Sequence, residues 1–148
     1  MFEASSSTTG SNTSYVIEFA APAVNDDGDP LTTGVVDNVV IKLEDFSIPS
    51  SVRANTISIT ATGLSSAVDA SATTTTRTSN PAQVNVDDDE LKLTLKSWED
   101  DFLDTISVGT LVRIAIGQGA GVRNPTEWAD DQDAEVEWGE TLSRTSRR

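Results

Sequence analysis

The chain has 148 residues, a length that suits one domain able to bury roughly 70% of its unfolded surface. Histidine and cysteine are both absent, which excludes imidazole bases, thiolate nucleophiles, disulfides and the usual zinc centres. With 24 acidic against 10 basic residues the formal charge is -14, a balance that repels nucleic acid and anionic membranes and attracts divalent cations.

The opening "MFEASSSTTGSNTS" lacks the basic and apolar regions of a signal peptide, and its Ser/Thr/Gly bias predicts a flexible lead-in over residues 1–13. Strand patterning then takes over. "SYVIEF" sets Tyr15, Ile17 and Phe19 on one face. The acidic stretch "VNDDGDP" places Asn25, Asp26, Asp27 and Asp29 around Gly28, hard oxygens on a tight turn that suit Ca²⁺. It is not an EF-hand loop, because the twelfth position would be Gly34, and a solvated Asp-Gly turn that needs no metal is the first reading, with calcium second.

"VVDNVVIKL" aligns Val39, Ile41 and Leu43, and "NTISITA" alternates Ile57 and Ile59 with Thr56, Ser58 and Thr60. "DASATTTTRTSNP" reads as an exposed loop or ragged edge strand. "AQVNV" aligns Val84 with Val86, and "ELKLTLK" turns Leu91, Leu93 and Leu95 inward, opposite Ile41, Leu43 or Ile57 of a facing sheet. Between the two lies the acidic turn of Asp87, Asp88, Asp89 and Glu90, read first as a solvated turn. "SWEDDFLD" is the best helix candidate, one or two turns with acids near its start. "TLVRIAI" sets Val112, Ile114 and Ile116 against Arg113, and "AEVEW" sets Ala134, Val136 and Trp138 against Glu135 and Glu137.

About seven alternating runs with turn chemistry between them predict an all-β fold, a two-layer antiparallel β-sandwich of immunoglobulin-like type with at most one short helix. The sandwich spans residues 14–139 and a polar tail follows over 140–148. No apolar run approaches the ~20 residues of a membrane-spanning helix, so membrane insertion is not expected. The glycines of "GQGAGVRNP" do not match a nucleotide-binding spacing, and Pro125 disfavours a helix start at Asn124. They are expected to bend the chain as it leaves the "TLVRIAI" strand, with Arg123 and Asn124 bonding loop carbonyls.

Two pieces of the sequence resemble modules of large bacterial surface and S-layer-associated proteins. One is Phe46, Ile48, Pro49, Ser50, Ser51 and Val52, followed by a short strand ending at Gly63. The other is Gly109, Thr110, Val112 and Ile114 running into Gly119–Thr126, "GAGVRNPT". The resemblance covers roughly residues 14–139 and implies an extracellular immunoglobulin-like sandwich with an architectural or adhesive role and no catalytic residues. Its partners would be neighbouring domains of the same polypeptide or a surface lattice.

Enzymatic activity is not expected, because the acids sit in crowded polar turns that do not raise one carboxyl as a general acid. A carbohydrate-binding module using Trp98 and Trp128 as stacking platforms is the alternative. Against it, aromatics dominate cores, and Tyr15 and Trp138 are expected inside, with Trp98 and Trp128 plugging the sandwich and Trp128 partly exposed. The isolated domain is expected to be mainly monomeric, associating weakly through an edge strand or its tails.

Overall fold

A computed structural model describes residues 1–20, 38–64, 74–94, 111–129, 132–138 and 141–146. Among them run ten strands: β1 (Phe2–Ala4), β2 (Tyr15–Ala20), β3 (Asn38–Lys42), β4 (Ile57–Leu64), β5 (Thr74–Ser79), β6 (Gln83–Asp87), β7 (Glu90–Thr94), β8 (Leu111–Ile116), β9 (Asp133–Trp138) and β10 (Thr141–Ser146). They form two five-stranded sheets, β1-β2-β8-β4-β5 and β10-β9-β3-β7-β6, in which every neighbouring pair is antiparallel. The described residues contain no α-helix, only 3-10 turns at Ala54–Thr56 and Gln118–Ala120.

The alternation is what makes two layers. In the first sheet the register lines up Tyr15, Ile116 and Ile57, then Ile17, Ile114 and Ile59, then Phe19 beside Val112. All of these are buried, while Glu18, Arg113 and Thr60 form the matching row on the other face. In the second sheet Ile41 lies between Leu91 and Val136, and Val39 beside Leu93, again buried. The inner rows of both sheets join in one apolar cluster. A two-layer antiparallel β-sandwich results, since a period-2 apolar face must be covered by another.

All seven expected strands are present, and the Thr-rich stretch forms the edge strand β5. Residues 1–13 are not a loose lead-in. β1 pairs with β2, and Phe2 is fully buried because a lone apolar side chain beside a free sheet edge gains most by entering the core. The expected tail over 140–148 likewise contributes β10, which pairs with β9 along its whole length. Leu91 and Leu93 are buried as expected, yet Ile41 is their neighbour within one sheet rather than a partner across the core, and Ile57 belongs to the facing sheet. Leu95 and the helix candidate "SWEDDFLD" lie outside the described residues.

Turn chemistry ends the strands. Asp88 adopts φ 55 in the tight turn from β6 to β7, and Asp45 adopts φ 71 in the turn that closes when Phe46 N–H bonds the Leu43 carbonyl at 3.1 Å. Aspartate tolerates the left-handed region better than most residues with a Cβ. Pro81, within the short link from β5 to β6, supplies no N–H, and the chain changes sheets there.

Candidate functional site

Three loops that are distant in sequence are stitched into one seam: residues 5–14 between β1 and β2, 43–53 after β3, and 117–129 after β8. The centre of the seam is the "GVRNP" segment. Ser47 and Arg123 exchange backbone hydrogen bonds, with N···O distances of 3.1 and 2.9 Å. On its other side the same segment meets the first loop. Asn124 N–H donates to the Ser11 carbonyl at 2.9 Å, and Gly10 N–H donates to the Pro125 carbonyl at 3.0 Å.

Gly121 makes this geometry possible. Its φ of +79 lies in the left-handed region, and a Cβ there would stand 3.0 Å from Pro49 Cγ. Only glycine enters that region freely and leaves room for the proline. The glycines after β8 therefore bend the chain through a 3-10 turn onto the "FSIPSSV" loop, and no phosphate cradle is formed.

Asn124 is 2% exposed and uses both ends of its amide. Nδ2 donates to the Ser6 and Thr8 carbonyls at 2.8 and 2.9 Å, and Oδ1 accepts the Tyr15 hydroxyl at 2.8 Å. Burial pushes the Tyr15 phenol up from 10.0 to about 12, so the donor stays protonated across the neutral range. Trp128 is half-buried, and its Nε1 donates to the Ser7 carbonyl at 2.8 Å. Gln132, also buried, donates from Nε2 to the Glu44 carbonyl at 2.9 Å. Beneath the seam sit the aromatic rings. Phe46 is edge-on to Tyr15 at 5.5 Å and to Trp128 at 5.6 Å, and it meets Phe2 at 5.8 Å.

Such a site holds loops. Most of its donors bind main-chain carbonyls, and its one titratable buried group is a phenol held in its neutral form. Among the described residues one buried side-chain atom, Asn12 Oδ1, has no hydrogen-bond partner.

Of the sequence-predicted site residues, Trp128 belongs to this seam, partly exposed as expected and packed against the core. Asn25, Asp26, Asp27, Asp29 and Trp98 lie outside the described residues. Asp87 and Glu90 pair across the tight turn, and the Asp89 carbonyl accepts Leu43 N–H at 2.8 Å. Among the described residues no three acidic side chains converge on a point that could hold an ion. Arg123 and Asn124 bond loop carbonyls as the sequence suggested, Arg123 through Nη1 to Gly10 at 3.4 Å. Sequence reasoning missed Phe2 and Gln132. Phe2 offered a signal as the one large aromatic in a Ser/Thr-rich opening, whereas Gln132 offered none.

No family model, curated protein or solved structure matches this chain.

Proposed function

We propose that this chain is a non-catalytic structural or adhesive module of a bacterial cell-surface protein, an immunoglobulin-like sandwich working outside the cell. The observation that carries the reading is the use made of the two motif pieces. "FSIPSSV" and "GAGVRNPT" are far apart in sequence, yet they meet through the Ser47–Arg123 bonds and the Gly121–Pro49 contact. Together with Asn124 they fasten loops to the sandwich, a use of side chains that suits a rigid building unit. Its partners would be neighbouring domains of the same polypeptide or a surface lattice. Calcium held by Asn25, Asp26, Asp27 and Asp29 is part of the proposal, as an added fastening in the link between β2 and β3.

The test is surface labelling of the source cells with antibodies raised against the purified chain. Labelling of intact cells is expected, and a signal confined to the cytoplasm would overturn the reading. A glycan array run in parallel addresses the alternative. Binding that Trp128→Ala abolishes would make this a carbohydrate-binding module. For calcium, thermal melts in EDTA, in millimolar CaCl₂ and in NaCl of equal ionic strength should differ. A stabilisation by calcium beyond the NaCl control, absent in Asp27→Ala, is expected. Equal shifts in both salts would remove calcium from the proposal.

A further inference from the structure

β1 is held from one side only, by its ladder with β2, which Met1 and Glu18 extend by exchanging hydrogen bonds at 2.6 and 2.7 Å. Three backbone pairs set Phe2 against Ile17, Glu3 against Val16 and Ala4 against Tyr15, and no strand lies on its other side among the described residues. Phe2 is its one fully buried side chain, with Glu3 exposed and Ala4 half-buried. The Phe2 ring stacks on Tyr15 at 6.0 Å and tilts against Phe46 at 5.8 Å. Tyr15 is anchored by Asn124, and Phe46 follows the turn after β3. The walls of the Phe2 pocket therefore belong to elements fixed independently of β1. The link to β2 is gripped by Asn124 and Trp128 at Ser6, Ser7 and Thr8, which leaves Ser5 as the hinge between β1 and the fixed part of the chain.

We propose that this slot is a strand-exchange site. The edge of β2 and the pocket between Tyr15 and Phe46 accept an extended segment carrying a phenylalanine, and that segment is residues 1–4 of a second copy of this chain. The choice of occupant follows from the structure, because the slot is already filled in cis by this very sequence in a defined register. Main-chain pairing along a sheet edge supplies affinity, and the alternate side chain that enters a pocket supplies register. Exchange of identical elements closes as a twofold dimer without any new surface. The hinge that must open is Ser5, just ahead of the clamped residues 6–8. Opening it breaks the bond from Ser5 N–H to the Ser14 carbonyl at 2.9 Å and the bonds of the Ser5 hydroxyl to Thr13 and Ser14.

The chain has no cysteine, so a disulfide can be placed at will. Glu3 and Val16 are directly opposed, and Glu3→Cys with Val16→Cys would lock β1 in cis. A fluorescein-labelled peptide of residues 1–7, MFEASSS, is titrated against the full chain as wild type, as Phe2→Ala and as the oxidised lock, with anisotropy as readout. Phe2→Ala, its own strand weakened, is expected to bind the peptide at least about tenfold more tightly than wild type. The lock should bind none until reduced, and a peptide carrying Phe2→Ala should not bind at all. A folded Phe2→Ala chain that ignores the peptide, or an oxidised lock that binds like wild type, would overturn the proposal. Light scattering of wild type after warming at high concentration is the independent measure. A dimer that the oxidised lock cannot form is expected, and a wild type that stays monomeric throughout would also overturn it.

Discussion

The aliphatic middle of the core and the aromatic seam beside it are held by different physics. In the middle, Ile17, Ile41, Ile114, Leu91 and Leu93 are fully buried and interact through shape and apolar area alone. In the seam, Tyr15, Phe46 and Trp128 are oriented by ring geometry and by hydrogen bonds that end on loop carbonyls. The middle tolerates any well-packed hydrophobe of the right size, whereas the seam depends on atoms placed to within a few tenths of an ångström. A fault in the middle should weaken the whole sandwich, and a fault in the seam should loosen loops first.

Leu93→Ala should have the largest effect, about 2–5 kcal/mol, or on the order of 10 °C in a thermal melt. A loss of a degree or two would mean that the middle is less tightly packed than its burial implies. Asn124→Ala removes the acceptor of the Tyr15 hydroxyl and the donors to Ser6 and Thr8 together, at about 2–4 kcal/mol. Hydrogen exchange sharpens the contrast here. Protection should fall in residues 5–14 while β8 and β3 keep theirs, and uniform loss would merge the two regions into one cooperative unit. Gly121→Ala should cost about 1–2 kcal/mol, from the left-handed backbone and the approach to Pro49.

Tyr15→Phe deletes one hydroxyl and should cost about 1 kcal/mol at neutral pH. Its interest lies at high pH. Tyr15 is the single tyrosine in the chain, so phenolate absorbance reports on it alone. The midpoint should lie at about 12 in the folded protein against 10.0 for a free phenol. Below pH 10 both states are protonated. Between pH 10 and 12 the unfolded chain releases a proton that the folded one keeps, so stability falls as pH rises through that window. The Tyr15→Phe variant should show a shallower alkaline decline, and an absorbance midpoint near 10 in folded protein would contradict the burial of the phenol. The smallest expected effect is Asp45→Gly, which relieves φ 71 but adds freedom to the unfolded chain. It should lie within roughly 0.5 kcal/mol of wild type, on the stabilising side.

The middle of the core was legible in the sequence because a strand writes its buried face locally, every second residue. Ile114 and Ile116 announce each other across Ala115, and no knowledge of β2 or β4 is needed to place them on one face. What alternation does not say is which strands share a sheet, and so Ile41 was expected across the core from Leu91 when it lies beside it. The seam was half legible. The glycines and Asn124 announced a bend and a side chain able to bond carbonyls. The identity of those carbonyls, on Ser6 and Thr8, depends on a chain separation of more than a hundred residues that no local pattern encodes. Phe2 was hidden for the same reason. Its neighbours are polar, and only the tertiary pocket between Tyr15 and Phe46 makes it a core residue.

Asn124 and Trp128 take hold of residues 6–8 by their carbonyl oxygens, which every amino acid possesses. The clamp is therefore blind to the side chains it secures, two of which, Ser7 and Thr8, face solvent. Mutation can drift freely at those two positions while the path of the loop is inherited unchanged. The same indifference makes Ser7–Thr9 a ready place to graft foreign residues, displayed on a backbone whose course is set from elsewhere in the fold.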